Sequence, residues 1–315
     1  MALIGEKERL FDLLVIGEIN PDLIVRGPDV TPVFGQVEKL VEGADLAIGS
    51  SSVITACGAA RLGLKVAFTG LVGGDEFGRF MLEAMRQAGI DVSGCVVDKA
   101  AATGLSVILS APDDRAILTY PGAIPLLRRE QVDEARFSLA RHLHIGSYFL
   151  LDALRPDMPA LLASAKEQGL TVSLDTNWDP TGGWDLTAVL PLLDLLFPNK
   201  NEVQQISGKE DFAAGVEVLA GQVPTLAVKL GPQGGLAQQG GRSVTAPALQ
   251  VDVVDTTGAG DSFNAGFLYG YLNGHDLQDA LDLACACGSL STRAAGGTAA
   301  QPTLGEARAA LRVKR

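Results

Sequence analysis

The sequence predicts an α/β fold: a mostly parallel central sheet flanked by helices, with a small β-sheet lid. Three observations carry that reading. Short apolar runs alternate with segments of helical period, the pattern of successive βαβ units. Two stretches break the rhythm with strand-type alternation. The chain has 315 residues, 47% apolar and 20% charged, enough for a sizeable core and far from the composition of disordered or collagen-like chains. We expect residues 1–315 to form one α/β domain with the lid inserted in it.

The elements follow in order. Buried strands are expected at Leu13 to Gly17, Val66 to Gly70, His142 to Gly146, Thr171 to Asp175, Leu193 to Phe197 and Thr225 to Leu230. Each is a short apolar run bounded by polar or Gly/Pro punctuation. Between them, helical period is expected over Ser51 to Leu62, Glu76 to Ala88, Pro156 to Gln168, Lys200 to Ile206, Phe212 to Gly221 and Asp261 to Leu272. Asp276 to Ala294 and Leu304 to Val313 add two more helices near the end.

Residues 22 to 48 and 94 to 120 show alternation with turn residues, Gly27-Pro28-Asp29 and Pro112-Asp113-Asp114, and no helical period. They read as hairpins that fit poorly into a parallel sheet. We expect them to pair with each other as a separate sheet at the strand ends where α/β ligand clefts form. Edge hairpins or a dimer contact are the plainer alternatives. Unpaired edges and one apolar face lead us to expect a homodimer through this lid.

Charge arithmetic, 25 basic against 37 acidic residues, gives −12. With no run of Lys and Arg to override it, that surface repels phosphate backbones and anionic lipid, so neither nucleic acid nor a membrane is expected as a partner. The scattered cysteines, Cys57, Cys95, Cys285 and Cys287, suit reduced thiols in a cytoplasm better than a disulfide framework. The start carries Glu6, Lys7, Glu8 and Arg9 and lacks a signal-peptide core. No stretch approaches the roughly 18 apolar residues of a membrane span.

No GxxxxGK[ST] loop occurs; Gly208-Lys209 is followed by Glu210. The segment best suited to phosphate is Val254-Asp255-Thr256-Thr257-Gly258-Ala259-Gly260-Asp261-Ser262-Phe263, which opens a helix. Glycines before a helix let backbone N–H groups converge on an anion, and the dipole adds positive charge there. Asp261 beside such a hole can accept a proton from a hydroxyl. Read alone, Asp261 is equally a helix cap and the glycines an ordinary turn. A third glycine of the dinucleotide fingerprint is missing where Phe263 stands.

Asp255 to Phe267, DTTGAGDSFNAGF, closely resembles the carboxy-terminal signature of the ribokinase-like (PfkB) carbohydrate kinases. GLVGGDEFG at 70 to 78 is similar to the other glycine-rich signature of that family. GEINPD at 17 to 22, NKNE at 199 to 202 and KLGPQGG at 229 to 235 also match, in family order over nearly the whole chain. The resemblance implies a ribokinase-like fold and an ATP-dependent, Mg²⁺-requiring kinase that phosphorylates a hydroxyl of a small molecule. It implies Asp261 as catalytic base and Gly258, Ala259 and Gly260 as anion hole. Asn199 and Glu202 match the NxxE motif, whose glutamate orders Mg²⁺ partly through water. Without the resemblance, Glu202 is a carboxylate suited to a helix start. Lys229, Gly231 and Gly234 stand where the family contacts ATP, with Lys229 replacing Thr or Ser. Ala284, beside Ala286 and Gly288, is implied as a wall for adenine, although close helix packing explains small residues equally well. Carbonyls around Asp255 and Thr257 are implied for K⁺.

For the acceptor, Asn20 and Asp22 match sugar-binding positions, although Asn-Pro-Asp is also a turn sequence. Gly49-Ser50-Ser51-Ser52-Val53-Ile54 departs from Gly-Gly-x-x-Ala-Asn: Ser50 replaces the second glycine and Ile54 an asparagine. Asp175-Thr176-Asn177-Trp178-Asp179 matches D-x-N-x-R through Asn177, but Asp179 replaces the arginine. Lacking that arginine, and any lysine at 49 to 54, the pocket is expected to take a neutral sugar, polyol or nucleoside. A nucleoside kinase, a non-catalytic binding protein of this fold and an NAD-dependent dehydrogenase are the rivals. The histidines His142 and His144 read as core residues.

Overall fold

Runs of Leu, Val and Ile with no polar interruption bury both faces of a strand and so require helices on each side. In the computed structural model, which describes residues 9–111 and 114–314, such runs form the centre. The strands are β1 Phe11–Ile16, β2 Pro21–Arg26, β3 Gly43–Ile48, β4 Val66–Thr69, β5 Leu71–Gly73, β6 Val96–Asp98 and β7 Leu105–Ser110. They continue with β8 Arg115–Tyr120, β9 Ala140–Ile145, β10 Thr171–Leu174, β11 Leu195–Leu196, β12 Thr225–Lys229, β13 Gly235–Gln239 and β14 Arg242–Ala246. The helices are α1 Ser51–Leu62, α2 Glu76–Gln87, α3 Met158–Glu167, α4 Lys200–Ser207, α5 Phe212–Ala220, α6 Ala259–Leu272, α7 Leu277–Ser291 and α8 Leu304–Lys314.

The main sheet has eight strands in the order β14-β13-β12-β11-β10-β9-β1-β4. It is parallel from β12 to β4 and ends in the antiparallel hairpin β13–β14. β1 shows how two-residue periodicity builds two cores. Leu13 and Val15 join Phe68, Phe197, Phe267 and Leu281 on one face, whereas Leu14 and Ile16 join Leu143, Leu161, Val172 and Leu226 on the other. Among the described residues, no helix is long and apolar enough to cross a membrane.

A second sheet, order β3-β2-β7-β8, takes its strands from the two anomalous stretches. β2–β3 and β7–β8 pair antiparallel, and a parallel β2–β7 pairing joins the two hairpins. Its register aligns Asp22, Ser106 and Thr119 on one face and Leu23, Leu46, Val107 and Leu118 on the other. Part of the hairpin reading needs correction. Val96–Asp98 pairs with Leu71–Gly73 in a separate two-stranded sheet, because Gly70 O accepts from Val96 N at 2.9 Å. Pro112 and Asp113 of the expected turn, and Met1 to Glu8, lie outside the described residues.

Other boundaries also move for physical reasons. Pro156 sits in a short 3₁₀ turn ahead of α3. The β13–β14 hairpin, absent from the sequence reading, turns on Gly240 and Gly241 at φ 56° and 80°, the positive values such tight turns require. α6 begins at Ala259, two residues before the expected start, because Gly258 takes the cap position at φ 73°.

Candidate active site

Only glycine fits at 258. Beyond its left-handed φ, a Cβ there would lie 2.7 Å from Gly297 Cα and 2.9 Å from Ile54 Cγ2. The chain therefore turns sharply into α6, whose first N–H groups have no intrahelical acceptor and carry the positive end of the helix dipole. Asp261 is not the cap. It lies within the first turn of α6.

This turn separates two cavities. Thr256, Ala259 and Gly260 line one of about 410 Å³, while Thr257, Gly258 and Asp261 line another of about 510 Å³. The first also contains Lys229, Gly231 and Gly234 and has apolar walls, among them Leu249, Val251, Val253 and Phe263. Its helical wall comes from α7 through Cys285, Gly288 and Ser289, with Thr292 at the helix's C-terminal cap. That corrects the expectation for Ala284, which is fully buried and packs against α6, its Cα 2.9 Å from where a Cβ on Gly266 would lie.

Asp261 is buried at the junction and accepts from Ser51 Oγ. Burial first, and the nearby Asp175 second, raise its carboxyl from 3.8 to about 8. Behind it, Lys229 Nζ donates to Asp175 Oδ2 at 2.7 Å, and Asn264 Nδ2 donates to the same oxygen. Burial alone would push the Lys229 ammonium down, but Asp175 and Glu202 hold it above its ordinary value.

Glu202 accepts from Asn199 N at 2.8 Å and from Asn199 Nδ2, while Asn199 Oδ1 accepts from Glu202 N at 3.0 Å. The pair is a reciprocal cap on α4. Neither residue lines the two cavities, and burial raises Glu202 to about 7. Asp175, Glu202 and Asp261 all act on the one Lys229 ammonium, and among the described residues no cluster of three or more Asp, Glu, His or Cys side chains is placed to hold a metal ion. Magnesium keeps several waters and takes few protein carboxylates, so the Glu202 carboxylate, already accepting from Asn199, suits a contact to Mg²⁺ made through water rather than direct ligation. The Asp255 and Thr257 side chains are turned toward a different cation. Arg115 Nη1, reaching from β8, donates to Thr257 Oγ1 at 2.6 Å and to Asp255 Oδ1 at 3.3 Å.

The second cavity gathers Asn20, Asp22, Ser50, Ile54 and Asn177. Asn20 Nδ2 donates to Ser106 Oγ at 3.2 Å. Gly49 does not line the cavity but makes room for it, since a Cβ there would sit 2.2 Å from Asp22 Oδ1. Ser50 caps α1 at φ 69° and Asn177 stands at φ 52°. Non-glycine residues in that region store strain, which concentrates at ligand sites. Asp179 organises its own loop, accepting from Thr181 N at 2.8 Å and Trp184 N at 2.7 Å.

The sequence reading missed Glu18, Ser51, Arg115 and Trp178, all of which line this cavity. Glu18 is buried and its carboxyl is raised, chiefly by burial. Burial, then Glu18, then Asp255 raise Asp22 to about 7. A Glu inside an apolar run between Gly17 and Ile19 was the available signal for Glu18. Nothing local marks Arg115.

Comparison with known proteins agrees with this geometry. The family model for pfkB family carbohydrate kinases matches residues 11–304. A fructokinase of Klebsiella pneumoniae is 36% identical, over 81% of this chain and 88% of its own length. An ATP-dependent ribose-1-phosphate kinase of Halopiger xanaduensis is 31% identical, over 91% of this chain and 94% of its own. Among solved structures, the adenosine kinase of Sinorhizobium meliloti superposes with a TM-score of 0.83 at 25% identity, covering 96% of this chain and 99% of that one.

Proposed function

Because the chain belongs to the pfkB family of carbohydrate kinases, phosphotransferases with a hydroxyl acceptor, we propose that it transfers the γ-phosphate of ATP to a neutral sugar with Asp261 as base. The observation that carries this is the placement of Asp261 and Gly260 on opposite sides of one helical turn, each facing its own cavity. In this reading ATP occupies the apolar cavity, its terminal phosphate against Gly258, Ala259 and Gly260, with Gly231 and Gly234 beside the nucleotide. Mg²⁺, held through water by Glu202 with Asn199 orienting that carboxylate, neutralises phosphate charge when bound.

The acceptor hydroxyl then faces Asp261, which takes its proton as oxygen attacks phosphorus. Asn20, Asp22 and Asn177 offer the hydrogen-bonding groups that orient a polyol. Glu18, Asp22 and Asp261 make the cavity acidic, and Arg115, the one cationic side chain among the described residues lining it, is engaged by Asp255 and Thr257. That balance disfavours an anionic acceptor. A nucleoside is the second reading, favoured by the apolar wall of Ile54, Ile108, Ile117 and Trp178. Residues 1–315 act as one catalytic domain whose second sheet, built from β2, β3, β7 and β8, closes over the acceptor and excludes water.

The outer face of that sheet exposes Leu46 and Leu118, so we also infer a homodimer through it; a monomeric mass by light scattering at micromolar concentration would contradict this. The activity is tested by ADP release with Mg·ATP over neutral sugars, polyols, nucleosides and sugar phosphates. Turnover with a neutral sugar is expected. Turnover confined to nucleosides or sugar phosphates, or none at all, would refute the reading.

A further inference from the structure

We propose that Lys229 is a further catalytic residue, a fixed cation whose free donors hold the terminal phosphate of the nucleotide during transfer. The inference rests on the kinase reading above and concerns a residue that the sequence comparison left as an unexplained replacement. Its backbone is pinned: Lys229 N donates to Pro198 O at 2.9 Å, and a parallel bridge ties it to Asn199. The side chain then runs under the helix start. A Cβ on Gly260 would lie 3.3 Å from Lys229 Cδ and 3.9 Å from Nζ. The side chain lines the nucleotide cavity and keeps 13% of its surface exposed there, against 6% for its partner Asp175.

An ammonium has three donors. Among the described residues, Lys229 uses one of them, on Asp175 Oδ2 at 2.7 Å. Its neighbour on the cavity side is Gly260 in the first turn of α6, where backbone N–H groups lack intrahelical acceptors and are donors too. Two sets of donors converging on one space call for an anion with several acceptor oxygens. A phosphoryl group is that anion. Asp175 holds the ammonium in place and is itself fixed by Asn264 and by Asn177 N at 3.1 Å.

In the step itself the acceptor oxygen bonds to the γ-phosphorus, the bond from that phosphorus to the β-phosphate oxygen breaks, and ADP leaves. The hydroxyl proton goes to Asp261. Lys229 stays protonated throughout and only balances charge on the transferred oxygens.

The experiment compares wild type, Lys229→Met and Lys229→Arg in the full chain, by turnover and by calorimetry with ADP and a non-hydrolysable ATP analogue. For Lys229→Met, kcat should fall by about 100-fold with acceptor KM within about threefold. Affinity for the triphosphate analogue should fall about tenfold while ADP binding holds within about twofold, with part of both losses restored by Arg. Unchanged kcat, or equal losses for di- and triphosphate, would overturn the proposal. Should Lys229→Met leave Asp175 unpaired and fail to fold, Lys229→Met/Asp175→Asn removes both charges and is held to the same thresholds. Wild type inactive on every acceptor would refute the kinase reading separately, because the calorimetric comparison does not depend on turnover.

Discussion

The two cavities that meet at the start of α6 are built in opposite ways. The cavity proposed for the nucleotide draws its lining from residues between Lys229 and Thr292, whereas the one proposed for the acceptor draws on segments from Glu18 to Asp261, including three strands of the second sheet. One is mostly apolar and local in sequence; the other is acidic and assembled by tertiary pairing. The difference suggests that a common phosphoryl donor can be served by contiguous glycine motifs, while acceptor choice is set by side chains brought together only on folding.

The largest expected effect strikes where the regions join. Gly258→Ala would force a Cβ against Gly297 and Ile54, displacing both the anion hole and the acceptor wall, and kcat should fall by about 1000-fold. A loss confined to one substrate's KM would break the idea of a shared hinge point. Arg115→Met separates the sides more finely. It frees the second sheet from Asp255 and Thr257, so acceptor KM should rise about tenfold with ATP KM unchanged; equal changes in both would show that the cavities are not independent.

A pH series of melting temperatures comes next. Asp261 is raised from 3.8 to about 8, so folding favours its neutral form. That stabilisation is complete below about pH 4 and is lost as pH rises through about 8. Asp22 and Glu202, each raised to about 7, act in the same direction. Melting temperature should therefore fall by several degrees between about pH 6 and pH 9, and less in Asp261→Asn. A flat profile would contradict the burial argument. The smallest expected effect concerns K⁺. Arg115 already brings positive charge to the Asp255–Thr257 loop, so rates in K⁺ and Na⁺ should agree within about twofold. A strong K⁺ requirement would restore the carbonyl site that the resemblance implies.

The same contrast explains what the sequence revealed. The parallel core was legible because runs such as Leu13 to Ile16 carry their burial in their composition, and the helix start was legible because Gly258, at φ 73°, meets a local backbone demand. Ala284 was misplaced because a stripe of small residues does not say which side of α7 faces the cavity; one residue further on, Cys285 does. Arg115 was illegible because its reach depends on β8 pairing with β7, and the Lys229–Asp175 pair joins residues 54 apart in the chain. Val96–Asp98 carried strand character but no sign of its partner.

The most direct measurement is the rate of phosphoryl transfer by Asp261→Asn, with nucleotide affinity measured on the same protein. Loss of transfer by about 1000-fold with nucleotide affinity within about threefold is the expected result. Transfer within about tenfold of wild type would show that this carboxylate is not the base.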